Sequence, residues 1–286
     1  MTAIKTEFMS KWFRSIFLIS VLILAGLTDT AKGQNPSFPS DSGYKYSIRE
    51  IPADILKVIV SPLEWDIRDW LTAGALLGTS GLAMTADQPV TDFFAEHKTS
   101  FTGDLSKYGL EPWGSGVYLA PALAIVYTTG LISHNEKLQF AAFKSAEAWL
   151  FAAGAAQISK QVFHRHRPFE SPDDPFIFGG PGLSSGYVSF PSGHTSTIFA
   201  TATVWARVYA DKPWIGLLSY SLATAVGISR IHDQQHWLSD VVAGAAIGYW
   251  IGSTLVPSNH RKTRSLTVTP CAGDGYYRLA ICWRPQ

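Results

Sequence analysis

The sequence predicts an all-α protein: a helical bundle of about six core helices, with a short C-terminal β-hairpin. Aliphatic and aromatic residues make up 47% of the 286 positions and charged residues only 16%, where an ordinary soluble domain carries about 25% charged residues. The apolar residues gather into helix-sized stretches, roughly 67–86, 114–132, 138–159, 195–211, 214–230 and 237–256, in which Ala, Leu and Gly outnumber β-branched residues. The breaks between stretches carry Pro, Gly, Asp and Asn, as in Asp87-Gln88-Pro89 and Asp211-Lys212-Pro213. A net charge of +1 argues against a nucleic-acid partner, which usually meets a basic face. The high apolar content excludes a disordered chain. Two cysteines are too few for a disulfide scaffold or a four-thiolate zinc site.

The elements follow in chain order. Lys5, Lys11 and Arg14 precede an apolar run from Ile16 to Leu27, shorter than the ~20 residues that span a bilayer. Ala31 and Gly33 are spaced like the −3 and −1 positions of a cleavage site, so residues 1–33 read as a secretory signal. An uncleaved anchor is the alternative reading. Either way the chain is exported, to a bacterial-type periplasm or cell envelope, where Cys271 and Cys282 sit in a compartment that preserves disulfides. Residues 34–66 read as a linker and N-terminal segment, and 67–256 as the helical domain. Within it, 168–191 is a long stretch rich in Pro, Gly and Ser; a structureless loop of that length is usually functional. In the tail, 257–286, Leu266 and Val268 alternate with Thr, Gly273-Asp274-Gly275 marks a turn, and Tyr277, Leu279, Ile281 and Trp283 recur at period two. That hairpin sets Cys271 opposite residue 277 or so, not Cys282, and leaves a disulfide between the cysteines open.

The helical stretches are long enough to cross a membrane, yet Lys144 and Glu147 fall mid-helix, where charge in lipid is costly. Thr72, Thr79, Ser80 and Thr85 weaken the first stretch. A periplasmic bundle, soluble or resting on the membrane, is favoured over a six-span protein, and 237–256 is the best candidate for insertion. Trp65, Trp70, Trp149 and Trp250 at helix ends read as core or interface anchors.

Chemistry concentrates in three short motifs. Lys160, Arg165 and Arg167-Pro168, with His164 and His166 between, close the third helical stretch and enter the long loop. Arg offers a planar fork matched to phosphate oxygens and Lys a compact point charge; a solvated basic helix end would look the same. Pro191-Ser192-Gly193-His194 stands just before the fourth stretch. There Gly193 admits close backbone approach, free N–H groups of a helix start bind anions, and His194 can move a proton near neutral pH; a plain N-cap with an incidental His is the bland version. Ser229-Arg230, His236 and Asp240 form the last motif. On a helix, His236 and Asp240 would share a face with Cβ atoms ~6 Å apart, so the carboxylate could fix the imidazole tautomer and leave the other nitrogen nucleophilic. A surface His–Asp pair is the alternative. His232 and His236 also have the spacing of a helical zinc site, but Asp233 stands where a His-Glu-x-x-His protease needs Glu and no third ligand is evident. Neither metal nor cofactor is expected.

Together, Lys160-x6-Arg167-Pro168, Pro191-Ser192-Gly193-His194 and Ser229-Arg230-x5-His236-x3-Asp240 resemble the signature of the type 2 phosphatidic acid phosphatase/haloperoxidase superfamily, complete and in order. The motifs occupy 160–240, and the surrounding helices extend the resemblance over 67–256. The resemblance implies a metal-free phosphatase in which His236 attacks phosphorus, Asp240 orients His236, and His194 protonates the leaving oxygen and then activates water. It implies that Lys160, Arg167, Arg230, Ser192 and the Gly193 amide hold the phosphoryl oxygens, the charge neutralisation that phosphoryl transfer requires. The implied substrate is a phosphorylated lipid: phosphatidic acid, phosphatidylglycerophosphate, an isoprenyl diphosphate or a lipid A phosphate. Membrane contact follows, with Phe169, Phe176, Phe178, Tyr187 and Phe190 as an apolar lid. Competing readings are a soluble acid phosphatase on small organic phosphates, a vanadium haloperoxidase holding vanadate in the same pocket, and a non-catalytic scaffold. Oligomeric state is not legible.

Overall fold

The computed structural model describes residues 44–183, 186 and 188–257, together with the backbone of 265–273 and 276–284. The secretory signal read at 1–33 lies outside the described residues. The chain enters through helix α1 (Ile51–Val60) and α2 (Ile67–Met84), the latter N-capped by Asp66, whose carboxylate accepts from Arg68 and Asp69 N–H. Short helices α3 (Asp87–Glu96), α4 (Ser100–Asp104) and α5 (Glu111–Ser115) follow, with a π-turn at Leu105–Leu110. Then come the long helices α6 (Leu119–Ile132), α7 (Glu136–Phe163), α8 (Gly193–Val208), α9 (Pro213–His232) and α10 (Leu238–Leu255).

Helix α8 is the axis of the bundle. Ala200, Val204 and Val208 pack with Ala141, Ala148 and Ala152 of α7 and with Ile251 and Leu255 of α10. On its other side Ile198 and Ala202 pack with Leu119 and Leu123 of α6 and with Tyr220, Ala223 and Val226 of α9. Small residues bring α8 and α10 into near-contact: a Cβ on Gly244 would stand 2.6 Å from the Ser192 carbonyl, and one on Gly252 2.6 Å from the Ala200 carbonyl. The buried hydroxyls of α8 are satisfied within its own turns, as where Thr201 and Thr203 donate to the carbonyls of Thr197 and Phe199.

Several boundaries differ from the sequence expectation. Gly116, at φ +91°, breaks the stretch expected at 114–132, so α6 starts at Leu119. Asn135 caps α7, accepting from Leu138 N–H, and the helix runs on to Phe163. The segment read as linker carries α1, and α1 accounts for the charges inside α7: Lys144 Nζ lies 2.5 Å from Asp54 Oδ2 and 2.8 Å from Glu147 Oε2. Beyond the helices, the backbone of Ser265–Gly273 (β1) pairs antiparallel with Tyr276–Arg284 (β2), setting Cys271 against Arg278 and Cys282 against Thr267. The side chains there, and any disulfide, lie outside the described residues.

Many large apolar side chains point outward, among them Leu71, Leu77 and Leu82 of α2, Ile125 and Ile132 of α6, Leu150 and Ile158 of α7, and Trp214, Leu217 and Leu218 of α9. Among the described residues, Pro213–His232 is the one unbroken helix long and apolar enough to cross a membrane; the bent pair Ser100–Ser115 and Leu119–Ile132 passes the same test together. Trp65 meets the rings of Trp70 and Trp250 edge-on, at 5.0 and 6.2 Å.

Candidate active site

The end of α7, the start of α8, the end of α9 and the start of α10 meet at one end of the bundle, and the three motifs meet with them. His236 lies in the turn before α10, 2% exposed. Its Nδ1 is 3.6 Å from Asp240 Oδ2 and 3.5 Å from Ser189 Oγ. The pair does not arise from two positions on one helix, because α10 begins only at Leu238. Asp240, in the first turn, accepts the Trp237 N–H at 2.9 Å. The carboxylate that caps the helix start is thereby turned back toward the imidazole. Burial pulls His236 down to about 4, with Lys160 and Arg167 pushing the same way against Asp240. The ring is neutral at pH 7. With Nδ1–H aimed at Asp240, Nε2 carries the lone pair.

Lys160 occupies the last turn of α7, and a Cβ on Gly193 would stand 3.7 Å from its Nζ, so the bare start of α8 faces the ammonium. Burial, then the charge of Arg167, lowers Lys160 to about 8. Arg167 Nη1 donates to Gln235 Oε1 at 2.5 Å. Arg230, in the last turn of α9, places Nη2 2.8 Å from Asp233 Oδ2 and Nη1 3.7 Å from Glu111 Oε1. Its buried Nε has no hydrogen-bond partner among the described residues, a donor awaiting an acceptor. Ser192 is the N-cap of α8; its Oγ accepts from Thr195 Oγ1 at 2.9 Å, and its N–H donates to the Asp240 carbonyl at 3.0 Å. His194 follows in the first turn, with Nε2 2.9 Å from Glu111 Oε1. Burial, then Arg230, lowers the His194 pKa against the opposing pull of Glu111. Gly114 of α5 makes room for this histidine: a Cβ there would lie 2.7 Å from His194 Cβ.

Expectation and structure part at Arg165. Counted by sequence among the anion-seeking cations, it is fully buried and ion-paired to Asp87 and Asp240. His232, a partner in the zinc alternative, ends α9 and is engaged by Asp233 Oδ1 at 3.0 Å and Thr102 Oγ1 at 2.9 Å. His164 and His166 stitch the long loop, to the Gly180 carbonyl at 2.8 Å and Ser171 Oγ at 2.7 Å. Of the aromatic loop residues, Phe169, Phe176 and Phe178 are exposed, Phe190 stacks edge-on with Phe163 at 5.0 Å, and Tyr187 lies outside the described residues. Sequence reasoning missed Ser189, Glu111 and Gln235. None is a fixed position of a spaced motif: Ser189 and Gln235 stand just before Pro191 and His236, and Glu111 alone of the three comes from a distant stretch of chain.

The fold and the site together define a helical bundle that gathers a carboxylate-backed imidazole and several cations at one end. More particularly, residues 141–264 match the PAP2 superfamily, which bears out the resemblance carried by the motifs. Over 65 residues the chain is 48% identical to a lipid A 1-phosphatase of Porphyromonas gingivalis, an alignment taking in 22% of this chain and 15% of that protein. Over 208 residues it is 26% identical to a lipid A 1-phosphatase of Rhizobium johnstonii, covering 66% of this chain and 78% of that one. Among solved structures, a transmembrane PAP2-type phosphatidylglycerolphosphate phosphatase from Bacillus subtilis is similar over 73% of this chain and 94% of its own, at 16% identity and a TM-score of 0.46. The family match ends at 264, short of the two strands.

Proposed function

We propose that this protein is a membrane-associated phosphatase that removes a phosphate from a phosphorylated lipid, a monoester or diphosphate, through a phosphohistidine on His236. The observation that carries the reading is the neutral His236 imidazole, backed by Asp240 and feeling the charges of Lys160 and Arg167. Nε2 attacks phosphorus, the bond to the leaving oxygen breaks, and His194 delivers the proton that this oxygen needs. In the second half, His194 takes a proton from water as the water oxygen attacks phosphorus and the bond to His236 breaks. Lys160, Arg167, Arg230, Ser192 and the Gly193 N–H neutralise the phosphoryl oxygens, a role that elsewhere falls to Mg²⁺. The lipid preference is supported by the apolar outer faces of the bundle and by the names of the relatives, both lipid A 1-phosphatases.

The test is phosphate release by purified protein across lipid A, phosphatidic acid, an isoprenyl diphosphate and a soluble ester, with and without EDTA. Release from at least one lipid phosphate, unaffected by EDTA and lost in His236→Ala, is expected. A turnover that survives His236→Ala overturns the reading.

A further inference from the structure

The contacts behind Asp240 continue away from the imidazole. Arg165 Nη1 donates to Asp240 Oδ1 at 2.6 Å and to Ser239 Oγ at 2.7 Å; Nη2 donates to Asp87 Oδ2 at 2.6 Å and to the Pro175 carbonyl at 2.7 Å; Nε donates to the same carbonyl at 3.0 Å. A guanidinium has five N–H donors, and these contacts account for all of them. None is left for a substrate oxygen. Asp87 is fixed in turn, accepting from Ser239 N–H at 2.8 Å and Ser239 Oγ at 2.6 Å. The other oxygen of Asp240, the one facing His236, also accepts from Ser189 Oγ at 2.5 Å and Trp237 N–H at 2.9 Å. Arg165, Asp87, Ser239 and Asp240 are each 0% exposed.

We propose that Arg165 and Asp87 are positioning residues for phosphoryl transfer: Arg165 clamps Asp240 in the orientation that holds His236, and Asp87, at the start of α3, clamps Arg165. The proposal rests on the phosphatase reading above. A carboxylate buried without a counter-charge is strongly disfavoured, so Asp240 depends on Arg165 to remain an oriented anion. Arg165 in turn has a second carboxylate opposite the first, which stops it from swinging aside. The rigid element is the start of α10, where Ser239 and Asp240 are adjacent: both accept from Arg165 Nη1, and Ser239 also donates to Asp87. Asp87 reaches the site from outside both the motif region and the family match, so the N-terminal half of the chain contributes to the geometry of the nucleophile.

Kinetics on the full-length protein separate positioning from binding. In Arg165→Lys and in Asp87→Asn, kcat should fall about tenfold or more, the scale of a small misplacement of a reacting group, while KM and the inhibition constant for vanadate stay near wild type. The double variant Arg165→Lys/Asp240→Asn should lose no more than Asp240→Asn alone, since residues acting as one unit are not additive. Losses that multiply in the double variant, an unchanged kcat, or weakened vanadate binding in Arg165→Lys would each overturn the proposal; the last would make Arg165 a phosphate ligand. If Arg165→Lys shows no cooperative thermal unfolding, Ser239→Ala, which removes two side-chain contacts of the network and no charge, carries the same cycle. His236→Ala in the same assay keeps the two readings apart: activity there defeats the phosphatase reading, whereas its loss beside an unaffected Arg165→Lys defeats only the clamp.

Discussion

Burial takes the His236 imidazole from its ordinary 6.5 to about 4, and the sign of that shift has two consequences. Between these values the unfolded chain binds a proton that the folded chain refuses, so stability falls as pH drops through that window. The nucleophile, for its part, stays unprotonated well below neutrality. NMR of the histidine ring nitrogens should show His236 neutral at pH 5.5; a titration midpoint near 6.5 would contradict the burial argument. His194 has a different task. As the donor to the leaving oxygen it matters most when that oxygen is a poor leaving group, and general-acid help is worth ~10²–10⁴-fold. His194→Ala should therefore lose far more rate on an alkyl phosphate than on an aryl phosphate such as p-nitrophenyl phosphate. Equal losses on the two esters would remove His194 from the acid role.

At the scale of elements, the site depends on how closely α8 and α10 approach. A Cβ on Gly248 would collide with the Ser196 carbonyl and stand 2.7 Å from the Ala200 nitrogen. Both are helix backbone, with no flexible side chain to give way. Gly248→Ala should cost about 1–3 kcal/mol through overpacking and lower Tm. Gly154, inside α7, has nothing within 4 Å of its would-be Cβ, so Gly154→Ala should raise Tm through helix propensity worth up to ~1 kcal/mol. Opposite shifts in thermal unfolding test the contact itself; parallel shifts would deny it. The long helices were legible because their apolar stretches are long and their ends carry Pro, Asp or Asn. The short α3, α4 and α5 were not, since five or ten residues are too few for a period to show. The same limit hid Asp87: in sequence it is a turn residue before Gln88-Pro89, and nothing local reveals that its counter-charge is Arg165. Arg165 was visible as charge, but sequence gives no direction, and its side chain points into the bundle rather than into the cradle. Lys160, Arg167, His194, Arg230, His236 and Asp240 were legible because their spacing is tied to helix ends, which the fold keeps at one end of the bundle.

At the scale of the whole molecule, the outward faces of α2, α6, α7 and α9 set Leu, Ile and Trp where a soluble bundle sets charge, while the buried ion cluster of Lys144, Asp54 and Glu147 lies inside. Exposed apolar area on that scale marks a surface that meets lipid or protein. The charge balance separates two ways of meeting lipid. At a net +1 the chain has little long-range attraction to an anionic surface, and what attraction exists is screened within ~3 Å at 1 M salt. Contact through apolar faces has no such weakness, since burying hydrocarbon is insensitive to screening. The purified protein should therefore float with neutral phosphatidylcholine vesicles in a density gradient and remain with them in about 1 M NaCl. Release by salt, or flotation only with anionic vesicles, would assign the membrane contact to charge and leave the apolar faces to another partner.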